Sequence, residues 1–227
     1  MGRPQTEIFT ILFLISLLLF SCENDKKESL SGIWRAELYL QEDTLPFSFQ
    51  LQDDSVVNMV LLNADEKIEI KGLTIRNDSF LADMHIFDSK LIAKIQSGAM
   101  QGVFRKNYAQ DYILPFKAEK GKSYRFRKNN KSNLNVEGRW QVMFGSNEED
   151  SIFSIAEFKQ NGTHVSGTFL TETGDYRYLE GSVNQNVLKL SCFDGEHAFL
   201  FEAIYENDEL HGFFKSGKTW NESWSAK

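Results

Sequence analysis

Cysteine is the scarcest reactive side chain here, with only two in 227 residues. Cys22 closes the stretch Leu19-Phe20-Ser21-Cys22, directly after an apolar run from Ile8 to Phe20. That pattern has the form of a bacterial lipobox. The sulfur of Cys22 would take a diacylglycerol thioether, and small Ser21 would let a lipoprotein signal peptidase reach the bond before it. Phe20 is bulkier than the motif usually has at its position. Cys192 is the other cysteine. With Cys22 acylated it has no partner, so the mature fold has no internal disulfide. Without a Cys-x-x-Cys the chain also lacks the dithiol of thioredoxin-like redox chemistry. Cys192 alternates with Leu188 and Leu190, which predicts a buried, inert thiol on an inward strand face.

The remaining residue types make no site that spacing can identify. His85, His164, His197 and His211 are scattered, and none has a metal-ligand spacing. His85 and His197 read as solvent-facing positions on strands. Asp53-Asp54 and Glu148-Glu149-Asp150 fall in turn-like stretches, where solvated acids are expected. A paired-carboxylate glycosidase would need such groups to converge in a cleft. There is no Gly-x-Ser-x-Gly, phosphate loop or nucleotide fingerprint. No catalytic residue, metal or cofactor is therefore assigned. Trp34 and Trp140 are the only ligand-binding candidates. They could line a cavity, but a small barrel fills its interior with side chains, so a core plug is the better reading.

The elements that would carry these residues are strands. Trp34, Ala36, Leu38 and Leu40 share one phase, with Arg35, Glu37 and Tyr39 opposite. Similar alternation recurs near 46–52, 55–62, 66–71, 78–87, 90–96, 99–105 and 111–118. A second set lies near 151–159, 163–171, 175–181, 186–193, 197–205, 209–215 and 219–225. Turn signals such as Asn161-Gly162 and Asn207-Asp208 separate the runs. The two sets look like copies. Gly32-Ile33-Trp34 recurs as Gly138-Arg139-Trp140, and Gly72 as Gly181. Phe87-Asp88-Ser89 recurs as Phe193-Asp194-Gly195, and Met100-Gln101-Gly102-Val103-Phe104 as Leu210-His211-Gly212-Phe213-Phe214. The fold class is all-β: two tandem antiparallel meander units, each curled to hide its edges. Pro115 falls in the last run of the first copy, where an edge or closing strand tolerates it.

The predicted organisation is a signal peptide over 1–21, a charged tether over 22–29, a first β unit over 30–118, a linker over 119–135 and a second β unit over 136–227. Lys117, Lys120, Lys122, Arg125, Arg127, Lys128 and Lys131 crowd the linker region. They read as a solvated connection or as a patch for anionic lipid heads or an acidic partner. Tyr124 and Phe126 predict that its first half docks on a unit. A net charge of −7 argues against nucleic acid as a partner. Nineteen Phe, seven Tyr and four Trp against three Pro suit well-filled β cores. The expected location is the cell envelope, held to a membrane through Cys22, periplasm-facing first and surface-displayed as the alternative.

The repeated Gly-x-Trp at the start of an antiparallel meander resembles the lipocalin and calycin barrels, in which the Trp plugs the closed end. The whole arrangement resembles the N-terminal, non-thioredoxin region of TlpA-like thiol–disulfide oxidoreductase lipoproteins of Bacteroidetes. The lipobox, Leu114-Pro115-Phe116-Lys117-Ala118, the second Gly-x-Trp, Phe193-Asp194-Gly195-Glu196-His197-Ala198 and Ser216-Gly217-Lys218 carry that likeness. In that family a thioredoxin-fold domain with a Cys-x-x-Cys follows where this chain stops at Lys227, and no position here matches the family's catalytic residues. The resulting expectation is a non-catalytic, lipid-anchored binding or interaction module, with an envelope protein or a thioredoxin-fold protein as partner. Two alternatives are the N-terminal part of a thiol–disulfide oxidoreductase and a small hydrophobic-ligand carrier.

Overall fold

Period-two alternation becomes strand almost everywhere it occurs. The computed structural model describes residues 29–53, 57–127, 132–145 and 151–227. The lipobox with Cys22, the tether up to Glu28, Lys128, Lys131 and the Glu148-Glu149-Asp150 turn lie outside the described residues. In chain order the first nine strands are β1 (Gly32–Leu40), β2 (Asp43–Asp53), β3 (Val57–Asn63), β4 (Glu66–Ile70), β5 (Gly72–Arg76), β6 (Ser79–Met84), β7 (Ser89–Gln96), β8 (Ala99–Lys106) and β9 (Ile113–Lys120). The second nine are β10 (Gly138–Phe144), β11 (Ile152–Asn161), β12 (His164–Thr171), β13 (Gly174–Asp175), β14 (Leu179–Asn184), β15 (Val187–Phe193), β16 (Ala198–Glu206), β17 (Glu209–Ser216) and β18 (Trp220–Ala226).

Each set forms its own antiparallel sheet curled into a barrel. The first runs β4-β3-β2-β1-β9-β8-β7-β6-β5. Lys71 alone separates β4 from β5, so the two act as one bent stave. Its first half pairs with β3 and its second with β6, which leaves the first barrel nearly closed. The second sheet closes fully: β10 pairs with β18, and β11 pairs with β12. β5 has no counterpart among the expected runs, because Gly72, Thr74 and Arg76 leave only Leu73 and Ile75 as apolar signal. Pro115 sits in β9 opposite Val103 of β8, just beyond the last β1–β9 pair, Leu38 with Phe116. Its missing N–H is therefore not required by β1. An even spacing puts Trp220 and Trp224 on one strand face and predicts core for both; Trp224 is buried, but Trp220 is exposed at the strand end.

The repeat extends to the backbone. In β8 and β17, Gly102 and Gly212 stand opposite Ala93 and Ala203. A Cβ on either glycine would run into a neighbouring-strand carbonyl, Ile92 or Glu202 respectively. The barrels are tight there because these positions carry no side chain. At the start of each barrel the Gly of Gly-x-Trp has a positive φ, +124° at Gly32 and +119° at Gly138. That turn lets the indole N–H donate to the carbonyl four residues back, Trp34 to Leu30 and Trp140 to Val136, each at 2.9 Å.

Both interiors are filled with aromatic rings. Trp34 stacks on Phe49 at 6.0 Å between centroids, and Phe47, Phe80, Phe104 and Phe116 complete the first core. In the second, Phe201 lies 4.4 Å from Phe214 and 4.5 Å from Phe169, with Phe144 and Trp224 beside them. The two cores are not independent. Phe193, Ala198 and Leu200 belong by sequence to the second sheet, yet they pack into the first core.

Candidate functional site

A meander places alternate turns at alternate ends. In the first barrel one end carries the start of β1 with Trp34. The other carries the turns after β1, β3, β6 and β8, and every one of these meets the second barrel or the residues flanking them do. The side-chain amide of Gln41 donates to the Lys218 carbonyl at 2.7 Å, and the Ala64 N–H donates to Glu180 at 3.1 Å. Ser89 donates to the Gly195 carbonyl. Tyr108 and Lys106 both reach Glu196 at 2.5 Å. The β15–β16 loop, Asp194 to His197, is thus a stopper in this mouth. Below it Phe193 packs 4.5 Å from Phe47 and 5.0 Å from Phe104. Trp34 occupies one end of the barrel and Phe193 the other.

The stopper is held by buried charge. Asp194 is fully buried and accepts from the Glu196 and His197 N–H groups at 2.8 and 2.6 Å. Its other oxygen meets His197 Nδ1 at 3.0 Å and Arg177 at 3.2 Å. Burial alone would raise its pKa, but the His197 ring and the His197 and Glu196 N–H groups hold the carboxyl below its usual range. Arg177 also bonds Glu66 of the first barrel at 3.1 Å.

Arg125 is the second seam residue. Its guanidinium pairs with Glu180 at 2.9 Å and donates to the carbonyls of Leu62 at 2.5 Å and Ser191 at 3.2 Å. Ser191 donates on to the Pro46 carbonyl at 2.6 Å, and Asn63 bridges to Phe193 through both its amide atoms. Burial lowers the pKa of Arg125, and Glu180 pushes it back up. Burial raises that of Glu180, but Arg125, the Ala64 N–H and His164 outweigh it and leave it lowered. Arg125 is therefore neither a solvated linker charge nor available to lipid headgroups. The first half of the linker does dock: Phe126 packs on the first core, and Arg35 lies over the Tyr124 ring at 5.1 Å. Lys117 and Lys120 belong to β9.

Other expected positions resolve simply. Trp34 is fully buried among aromatic rings, and Trp140 is half-buried, edge-on to Tyr205 at 6.4 Å. Cys192 is buried, and that burial pushes its thiol up to about 12. His85 lies in the turn after β6, and His197 in the loop before β16, so neither is on a strand. Among the described residues no group of three or more His, Cys, Asp or Glu is placed to hold a metal ion.

What sequence reasoning missed is the outer wall of the second barrel. Phe153, Met143, Ser225, His211 and Ile204 lie side by side across β11, β10, β18, β17 and β16. Phe153 is 52% exposed, Ile204 51% and neighbouring Phe213 55%. Ile155 and Leu170, paired across β11 and β12, extend the apolar surface. Between the larger side chains, Ser223, Ser225 and Gly212 leave a furrow of about 630 Å³. The signal was legible as apolar residues on both phases of one strand, as in Phe153-Ser154-Ile155-Ala156.

No protein-family model matches the sequence, and no curated protein matches it. Among solved structures, the chain is similar to a DUF3598-family protein of unknown function from Nostoc punctiforme PCC 73102, at 10% identity over 86% of this chain and 94% of that one, with a TM-score of 0.28. It is also similar to HpuA from Kingella denitrificans, solved in complex with human haemoglobin, at 10% identity over 88% and 89% of the two chains, with a TM-score of 0.30. Scores this low leave the fold to be read from the chain's own strands.

Proposed function

We propose that this chain is a lipid-anchored envelope protein that works as a non-catalytic binding or interaction module, tethered through Cys22. The observation that carries the binding mode is the filling of both interiors. Rings occupy each core, Trp34 and Phe193 cork the first barrel at its two ends, and the second barrel exposes apolar side chains on its outer wall. A module built this way binds on its surface and not by enclosing a ligand. The lipobox Leu19-Phe20-Ser21-Cys22 supports the anchor, and an anchor there would leave both barrels outside the membrane. Trp34 and Trp140 then serve as plugs. Cys192, with its raised thiol pKa, carries almost no thiolate at neutral pH.

Metabolic labelling with an alkynyl fatty acid tests the anchor. Wild type is expected to take the label and sediment with membranes, whereas Cys22→Ser is expected to lose both properties. Native mass spectrometry of residues 22–227 tests the rest. A bare polypeptide mass is expected, and a stoichiometric apolar ligand that survives purification would reject the surface-binding mode.

A further inference from the structure

We infer that the outer wall of the second barrel docks a protein whose contact surface sets apolar side chains among lysine and arginine. The inference rests on the reading of the chain as a binding module, and it names the partner's chemistry. The row Phe153, Met143, Ile204 and Phe213 has the anatomy of a protein contact. It has exposed apolar side chains, Phe153 with Met143 at one end and Ile204 with Phe213 at the other, a furrow past Ser225 and His211 to receive those of a partner, and charged groups at its flanks. Lys189 and Glu202 pair with each other at 2.5 Å on one flank, and Glu209 borders the groove beside Met143 and Phe153 on another.

Charge selects the partner. Residues 136–227 hold 7 Lys and Arg against 15 Asp and Glu, a net −8, whereas residues 30–135 hold 15 against 13, a net +2. Of the two units, only the one with the apolar wall carries a net negative charge. The turn Glu206-Asn207-Asp208-Glu209 places three of those acids at one end of the row. An anionic lipid surface is repelled by such a unit, and so is a second copy of the same wall. A basic protein surface is drawn to it.

A photo-crosslinker at Phe213 in the full chain, in its own cells, tests this, with Ile92 on the outer wall of the first barrel as the control position. The expected result is a discrete adduct to a different protein from position 213 and none from position 92. Ile204→Asp should abolish the adduct. The triple variant Glu206→Gln, Asp208→Asn, Glu209→Gln should weaken it about tenfold. All four side chains lie at the surface, and unchanged circular dichroism verifies the fold. A lipid adduct, an adduct of two copies, no adduct, or a protein adduct indifferent to both variants would each overturn the inference. Cys22→Ser separates it from the anchoring proposal. If wild type carries no lipid yet position 213 still gives the charge-dependent adduct, the anchor fails and the docking surface stands.

Discussion

At the scale of single residues, the repeated glycines and the seam arginine make opposite demands on the sequence. Gly102 and Gly212 are legible, because the same residue recurs at the same place in both copies, and the reason proves steric. A methyl group at either position meets backbone, which cannot swing aside as a side chain can. Gly212→Ala should therefore destabilise the protein by about 1–3 kcal/mol, as overpacked sites do. A urea midpoint equal to that of wild type would refute the close approach. Arg125 was not legible. Seven basic residues crowd its neighbourhood, and nothing local distinguishes the one that meets Glu180 across the seam. Removing it strips Glu180 of its buried cation and takes a donor from the Leu62 and Ser191 carbonyls, so Arg125→Ala should cost about 3–5 kcal/mol. The double variant Arg125→Met with Glu180→Leu should recover most of that loss, since well-packed apolar groups replace buried ion pairs at little cost. If the double variant is no more stable than the single one, the cost of Arg125→Ala has some source other than the stranded charge.

At the scale of elements, alternation located nearly every strand because each buries one face and wets the other. It failed where that contrast fades. β5 is too short and too polar in its pattern to register. The outer wall of the second barrel has its apolar signal on both phases only in β11, and the closed sheet alone brings Met143 and Ile204 into one row with it. The β15–β16 hairpin is the telling case. Phe193-Asp194-Gly195-Glu196-His197-Ala198 reads as a turn between strands, and it is one. No sequence pattern announces that Phe193 leaves its own barrel to complete another's core. Phe193→Ala should cost about 3–5 kcal/mol. Its effect should appear in the first barrel, as faster amide exchange at Phe47 and Phe104 as well as in β15. Exchange changes confined to β14–β16 would mean that the hairpin stabilises only the sheet it belongs to.

At the scale of the whole molecule, shared core residues and a charged seam predict that the two barrels stand or fall together, and pH is the variable that exposes this. Glu180 and Asp194 both titrate below their ordinary range in the folded protein. In the unfolded chain they titrate near pH ~4. The stability they contribute is therefore complete above about pH 4–5 and is lost as the pH falls through the lower folded values. Every carboxylate so protonated abandons a seam cation: Arg125 faces Glu180, and Arg177 faces Asp194. Stranding the buried Arg125 charge adds to the loss. The urea midpoint should thus be nearly level from pH 7 to about 5 and drop steeply towards pH 3. Because Phe193, Ala198 and Leu200 tie the first core to the second sheet, tryptophan fluorescence and far-ultraviolet circular dichroism should report a single coincident transition throughout. Two separated transitions, or a midpoint unmoved at pH 3, would mean that the barrels fold independently and that the seam only joins what is already stable.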